Sequence, residues 1–331
     1  MVSETNRNTS VHRLKREDLV MEVFSIISEV FEQSDEETIW DVSVPMPIIR
    51  EHLSKRHGST YSSDQWLQTQ LKRYEKDLGV KLFRRDKCLR QDNEREWRLS
   101  LHTDMVDFYQ KQHLYVTEKI KVANGTYHFI CRKARSASQY SGPCTVLLGA
   151  GSTVYHLATI FAEDSYSTDL SFCLYTHNAG FIQKLLNSSV NYDRLSLRPI
   201  GGTLEPVTRT LLTTDLESII STDFDVVVQG TSCVCDGKLY IESEVESHMK
   251  ASILRECAGT KILVSTKHEF TDHPLPNTEP YGNLSEYDYL IVPHTPERTP
   301  RKMYEKVFEQ HRKYLEPEIF NWSYAIYRIR G

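Results

Sequence analysis

From Cys144 onward, short apolar runs alternate with stretches of helical periodicity, and no other feature constrains the fold of this chain as strongly. Candidate strands are residues 146–149, 170–175, 195–200, 224–228, 261–264 and 289–292, with helical runs between several of them. Strands alternating with helices predict an open, mainly parallel α/β sheet. In such sheets ligands bind beyond the carboxyl ends of the strands. The stretch 300–315 reads as a basic helix and 322–329 as a last strand.

The first strand of the pattern ends in Val146-Leu-Leu-Gly-Ala-Gly-Ser-Thr153. Ser152 and Thr153 open an amphipathic run with Val154, Leu157, Ala158 and Phe161 on one side. Strand, glycine turn and hydroxyl-capped helix make a cradle for an anion, because glycine permits close backbone approach and the first helical N–H groups are free. Gly149, Ala150, Gly151, Ser152 and Thr153 are therefore candidate ligand residues. The plain alternative is a helix cap with no ligand.

The N-terminal part has a different pattern. Of 331 residues, enough for two domains, 1–16 are polar and read as a disordered tail. A helix from Glu17 is predicted by Leu19, Val20, Val23, Phe24, Ile27, Val30 and Phe31. A second helix covers 45–57, ended by Gly58. A third starts at the caps Ser62, Ser63 and Asp64, buries Trp66, Leu67, Leu71, Tyr74 and Leu78, and stops at Gly79. A strand at 80–85, a turn at Asp92-Asn93 and a return strand at 96–99 complete a basic hairpin.

Three helices followed by a hairpin is the order of a winged helix-turn-helix, and Leu71–Arg85 resembles the end of the recognition helix and the start of the wing in bacterial winged-helix regulators. Gln65, Gln68, Thr69, Lys72 and Arg73 are the candidates for the major groove, and Arg84, Arg85 and Lys87 for phosphates. Residues 42–90 hold 11 Lys+Arg and 5 Asp+Glu, a balance of +6 in a chain of net charge −5. A basic segment on an acidic body fits a polyanion partner. A winged-helix protein–protein module and a solvated charged face are the competing readings. Residues 103–122 read as a connecting helix with Met105, Tyr109, Val116 and Ile120 on one stripe, suited to a homodimer or tetramer. Gly125 and 136–142 read as loops. The predicted organisation is thus a tail at 1–16, a winged helix at 17–102, a connector at 103–143 and an effector-sensing α/β domain at 144–331.

Four separated stretches resemble one family. They are 146–153; Tyr175-Thr176-His177-Asn178; Pro199-Ile200-Gly201-Gly202-Thr203-Leu204; and Asp225-Val-Val-Val-Gln-Gly-Thr231 followed by Glu246, Lys250 and Lys261-Ile-Leu-Val-Ser-Thr-Lys267. In order and spacing these resemble the DeoR-type transcriptional regulators, whose effector domain has the sugar-phosphate isomerase-like fold. The resemblance implies a DNA-binding regulator gated by a phosphorylated small metabolite, a sugar phosphate or nucleotide. It adds Asn178, Gly201, Gly202, Lys250 and Lys267 as candidate ligand residues. The chain departs from the family pattern at Gly149, where an Asp is usual, at the inserted His177, and at Ser232, where an acid is expected. In the head, Trp66-Leu67-Gln68-Thr69-Gln70-Leu71 replaces the usual recognition-helix run.

The rival class is a sugar-phosphate isomerase-like or acyl-CoA-handling enzyme, which needs a carboxylate base near the glycine loops. Neither Gly149 nor Ser232 supplies one, so the expectation is no enzyme and no cofactor. A second alternative is an adaptor with a non-binding sensor fold. Cys233-x-Cys235 has no partner pair at zinc spacing, so no metal is expected. Seven scattered cysteines, no apolar run of membrane length and no leader-like start make the expected location cytoplasmic.

Overall fold

The computed structural model describes residues 14–58, 63–89, 95–102, 108–137, 142–206, 208–213, 216–294 and 302–330. The tail at 1–13, the Asp92-Asn93 turn and Met105 lie outside them. The chain divides into two compact units, Met1–Val106 and Asp107–Gly331.

The first unit runs α1 (Arg16–Gln33), β1 (Val44–Pro45), α2 (Met46–His57), α3 (Asp64–Leu78), β2 (Phe83–Leu89) and β3 (Arg95–Leu101). The strands form an antiparallel sheet in the order β1-β3-β2. Val20, Phe24 and Ile27 of α1, Leu53 of α2, Leu67 and Leu71 of α3, and Phe83 and Leu99 of the hairpin are all buried. Gly58 and Gly79 end α2 and α3 in the left-handed conformation that glycine adopts without strain. The Ser63 hydroxyl caps α3 by accepting from the Trp66 N–H. Glu75 ties helix to hairpin: one carboxylate oxygen accepts from the Leu82 and Phe83 N–H groups at 2.8 and 2.9 Å.

The second unit opens with α4 (Phe108–His113) and α5 (Val116–Ala137). The anticipated single helix over 103–122 is therefore two, broken at Tyr115, whose φ is +52°. Gly125, expected in a loop, lies inside α5, which packs on the sheet of its own unit. Then follow β4 (Cys144–Leu148), α6 (Ser152–Tyr155), α7 (Leu157–Asp164), β5 (Phe172–Thr176), α8 (Ala179–Leu186), β6 (Leu195–Pro199), the hairpin β7 (Thr203–Glu205) and β8 (Thr210–Leu212), α9 (Glu217–Ile220) and β9 (Val226–Gly230). The remainder is β10 (Cys233–Cys235), β11 (Lys238–Tyr240), α10 (Glu244–Glu256), β12 (Thr260–Val264), β13 (Gly282–Asn283), β14 (Tyr289–Pro293), α11 (Met303–His311), β15 (Leu315–Phe320) and β16 (Tyr324–Ile329).

Eight strands make the main sheet, ordered β15-β16-β14-β12-β9-β4-β5-β6. The six from β14 to β6 are parallel; β16 is antiparallel to both its neighbours. On one face Phe129 and Ile130 of α5, Phe161 of α7 and Phe181 of α8 pack over Val146, Leu148, Val228 and Ile262. On the other, Met249 and Ile253 of α10 cover Leu147 and Val227. Helices on both faces explain why the central strands read as unbroken apolar runs. The chain adds β5 and β6 on one side of β4 and β9, β12 and β14 on the other, so the strand order switches between β4 and β9. Among the described residues no helix is long and apolar enough to cross a membrane.

A Cβ added at Gly125 would stand 2.8 Å from the Tyr324 ring and 3.2 Å from Ile291. Gly125→Ala should therefore cost about 1–3 kcal/mol of stability despite alanine's better helix propensity. Equilibrium urea unfolding checks this; an unchanged midpoint would remove α5 from its place against β14 and β16.

Candidate functional site

The switch between β4 and β9 leaves a crevice at their carboxyl ends. The Gly149–Thr153 turn leaves β4 there, and Gly230 and Thr231 leave β9. The Gly149 N–H donates to the Val228 carbonyl at 2.8 Å, extending the ladder by one residue. A Cβ at Gly149 would lie 2.9 Å from that carbonyl and 3.3 Å from Gln229 Cγ, so only glycine fits. Gly151 has a φ of +128° with open space beside it.

The cradle is tighter than its sequence implies. The Ala150 N–H donates to His177 Nε2 at 3.0 Å, and Asn178 Nδ2 donates to the Gly151 carbonyl at 3.0 Å. Asn178 also caps α8 by accepting from the Phe181 N–H. Ser152 and Thr153 do not cap α6: Gly151 is its N-cap residue, without a side-chain bond, and the run is interrupted at His156. The inserted histidine thus occupies one donor of the turn. His177 is 0 % exposed, and burial, helped by the nearby charge of Lys250, pushes its pKa down to about 3. It is a neutral ring at any ordinary pH.

Lys250 is 1 % exposed and bonds inward, its Nζ donating to the Gly230 carbonyl at 2.9 Å. Glu246, equally buried, faces it at 3.8 Å and accepts from the Thr210 hydroxyl at 3.0 Å. Burial lowers the lysine's pKa, and Glu246 works against that shift. The pair is an interior one, not the exposed helix pair that its i,i+4 spacing suggests. Lys267 stands elsewhere: its φ is +75°, and Nζ lies 5.0 Å from the centre of the Phe308 ring on α11. Gly201 and Gly202 line a separate cleft of about 680 Å³ with Tyr175, Arg198, Leu212 and Ser218. Among the described residues, none of the 149–153 turn lines it. There Arg198 donates to the Tyr175 hydroxyl at 3.0 Å.

Sequence reasoning missed three groups around the crevice. Gln229, 0 % exposed, accepts from the Tyr287 hydroxyl at 2.5 Å. Lys111 of α4 reaches Glu242 at 2.6 Å and Ser232 at 3.2 Å; desolvation works to raise the pKa of the Glu242 carboxyl, but the charge of Lys111 holds it low. Lys119 of α5 donates to the Lys111 carbonyl, and burial pushes its pKa down to about 7. Ser232 donates to Glu242 at 2.7 Å.

In the first unit, Gln65, Lys72 and Arg73 are exposed on α3, Thr69 is half-buried and Gln68 is only 9 % exposed. Gln65, Gln68, Thr69 and Lys72 line a cleft of about 730 Å³ with Arg50 and Trp97. Arg84 and Lys87 are exposed on β2, the latter 5.7 Å from the centre of the Trp97 ring. Arg85 is placed differently: it donates to Glu75 at 2.7 Å and to the Phe83 carbonyl, and so fastens hairpin to helix. Among the described residues no group of three or more His, Cys, Asp or Glu side chains is arranged to hold a metal ion.

Removing Lys250 leaves Glu246 charged and unpaired in the interior. Lys250→Met should cost about 3–5 kcal/mol, and adding Glu246→Gln should recover much of it; urea unfolding of the two variants checks the order. The pH dependence follows from the buried rings. Burial also pushes His113 down to about 4, so the unfolded chain takes up protons near pH 6.5 that the folded chain refuses until about 4 at His113 and about 3 at His177. Stability is full above about pH 6.5 and falls toward pH 4 by about 1.4 kcal/mol per unit for each histidine. His113→Gln should flatten that limb in unfolding measured from pH 7 to pH 4.

No family model matches the chain, and no curated protein matches it. Among solved structures, ribose 5-phosphate isomerase A from Methanocaldococcus jannaschii is 14 % identical, over 64 % of this chain and 79 % of that one, with a TM-score of 0.29. Ribose 5-phosphate isomerase from Plasmodium falciparum is 11 % identical over 63 % and 77 %, with a TM-score of 0.29. The delta subunit of translation initiation factor eIF-2B from A. fulgidus is 10 % identical over 83 % and 81 %, with a TM-score of 0.31. Likenesses at this level are similarities to sugar-phosphate isomerase-like proteins and assign no activity to this chain.

Proposed function

We propose that this chain is a DNA-binding regulator whose second unit receives a small phosphorylated metabolite at the switch between β4 and β9. The observation that carries the reading is in the first unit: three helices and an antiparallel β1-β3-β2 sheet, the order of a winged helix, present Lys72, Arg73, Arg84 and Lys87 to solvent. In this reading α3 enters the major groove and β2 lies along the phosphates. The strand-order switch with its glycine turn is where an open α/β sheet takes its ligand. A regulator of this kind binds as a dimer, since one small head contacts too little DNA.

A second reading, a sugar-phosphate isomerase-like enzyme, is favoured by the buried Glu246–Lys250 pair beside Gly230. One experiment separates them. Arg84→Ala with Lys87→Ala should weaken duplex binding on all sequences alike and reduce the salt slope by about one unit per lost contact. Arg85→Ala should instead lower the stability of the first unit. A phosphorylated effector should shift duplex affinity by roughly 5- to 150-fold, the usual range of coupling. Unchanged binding in the double variant at several salt concentrations removes the wing from the interface. Conversion of ribose 5-phosphate to a ketose by the parent protein, lost in Glu246→Gln, with no duplex binding, establishes the enzyme reading instead.

A further inference from the structure

Two polar side chains of the crevice carry hydrogen-bonding atoms that no group among the described residues meets: His177 Nδ1 and Gln229 Nε2. Both residues are 0 % exposed. A buried polar atom left unmet costs about 1–3 kcal/mol, so two in one place need a reason. Their chemistry can be worked out. His177 Nε2 accepts from the Ala150 N–H, so in the neutral ring the proton sits on Nδ1, which is a donor. Gln229 Oε1 accepts from Tyr287, so the amide nitrogen is the group left over, also a donor. The two side chains flank consecutive residues of one turn: His177 accepts from the Ala150 N–H, and Gln229 Cγ lies 3.3 Å from the Cβ position of Gly149.

We propose that His177 Nδ1–H and Gln229 Nε2–H are a donor pair that recognises a carbonyl oxygen of the bound metabolite. The inference rests on the small-metabolite reading above and adds which part of the molecule points inward. Charge decides the class. Lys250 is paired with Glu246 and Lys111 with Glu242, burial takes Lys119 down to about 7, and His177 and Gln229 are neutral, so no unpaired, fully charged cation among these groups stands ready to hold a phosphate. A carbonyl oxygen has two lone pairs and no proton, and it satisfies both donors at once. A hydroxyl in its place brings a third proton to a site that already has only donors. The phosphate end remains at the outer part of the turn, where Gly151 borders open space.

The test compares phosphorylated carbonyl compounds with the polyols that differ from them only at that oxygen. The pairs are dihydroxyacetone phosphate with glycerol 3-phosphate, ribulose 5-phosphate with ribitol 5-phosphate, and fructose 6-phosphate with sorbitol 6-phosphate. Inorganic phosphate is the reference, and titration calorimetry on the full chain is the readout. The expected result is that one carbonyl compound binds about tenfold or more tightly than its polyol, and that Gln229→Leu loses the preference while keeping its affinity for inorganic phosphate. Equal binding of all pair members by the parent, binding of inorganic phosphate alone, or a preference retained in Gln229→Leu overturns the donor pair and leaves the metabolite reading standing. If neither inorganic phosphate nor any sugar phosphate binds, both fall. The comparison within the parent stands even where Gln229→Leu does not fold.

Discussion

The parallel pairing of β4 with β9 is the constraint on which the second unit depends. Because the chain builds outward from these two strands in opposite directions, their carboxyl ends feed connections that lead away from each other. The ladder runs to its limit, with Gly149 still donating to Val228. That bond brings the Val228 carbonyl and the Gln229 side chain so close to position 149 that no Cβ fits. A side chain at position 149 would meet the Val228 carbonyl first and then Gln229, so glycine there has a local cause. In the same way the inserted His177 occupies the Ala150 N–H, which a bare glycine turn would offer to an anion.

Charge is handled by one rule in both units. Carboxylates taken out of water are matched by donors fixed on a neighbouring element, as burying an unmatched ion is far more costly than pairing it. Glu75 receives two backbone N–H groups and Arg85. Glu246 receives Thr210 and faces Lys250. Groups without a matching charge are held neutral instead, as with His113 and His177, whose pKa values burial lowers.

The sequence was most legible where burial on two faces leaves a continuous apolar run. All six predicted strands from 146 to 292 exist, displaced by at most two residues at either end, and the last strand begins at Tyr324 instead of Trp322. The three helices and hairpin of the first unit were legible from helical periodicity and from Gly58 and Gly79 as stops. What failed has physical reasons. Gly125 resembles a break, but a helix laid tightly on a sheet needs a residue without a side chain where Tyr324 and Ile291 press against it. β15 carries Glu316, Pro317 and Glu318 on the exposed edge of the sheet, so it lacks an apolar period. β10, β11 and β13 are two or three residues long, too short for any pattern to register. In the crevice, glycines and Asn178 were visible as turn and cap residues. Gln229 was hidden inside Val-Val-Val-Gln-Gly, since a single amide in an apolar run has no spacing to mark it.

In the isomerase-like reading proposed above, Glu246 would be the base, and its surroundings set what that role would require. A general base must exchange its proton with substrate and then with solvent, which requires access and a lone pair not already committed. Glu246 is 1 % exposed; one of its oxygens accepts from Thr210 and the other faces Lys250. Protonating it would remove the partner of a lysine whose own charge is held in the interior and whose Nζ already binds the Gly230 carbonyl. Each step of a proton-transfer cycle would therefore work against the pair that fixes α10 to the end of β9. A ligand that only has to be recognised makes no such demand. It can leave Glu246 and Lys250 paired and still change the free energy of the crevice by meeting donors that are otherwise unmet.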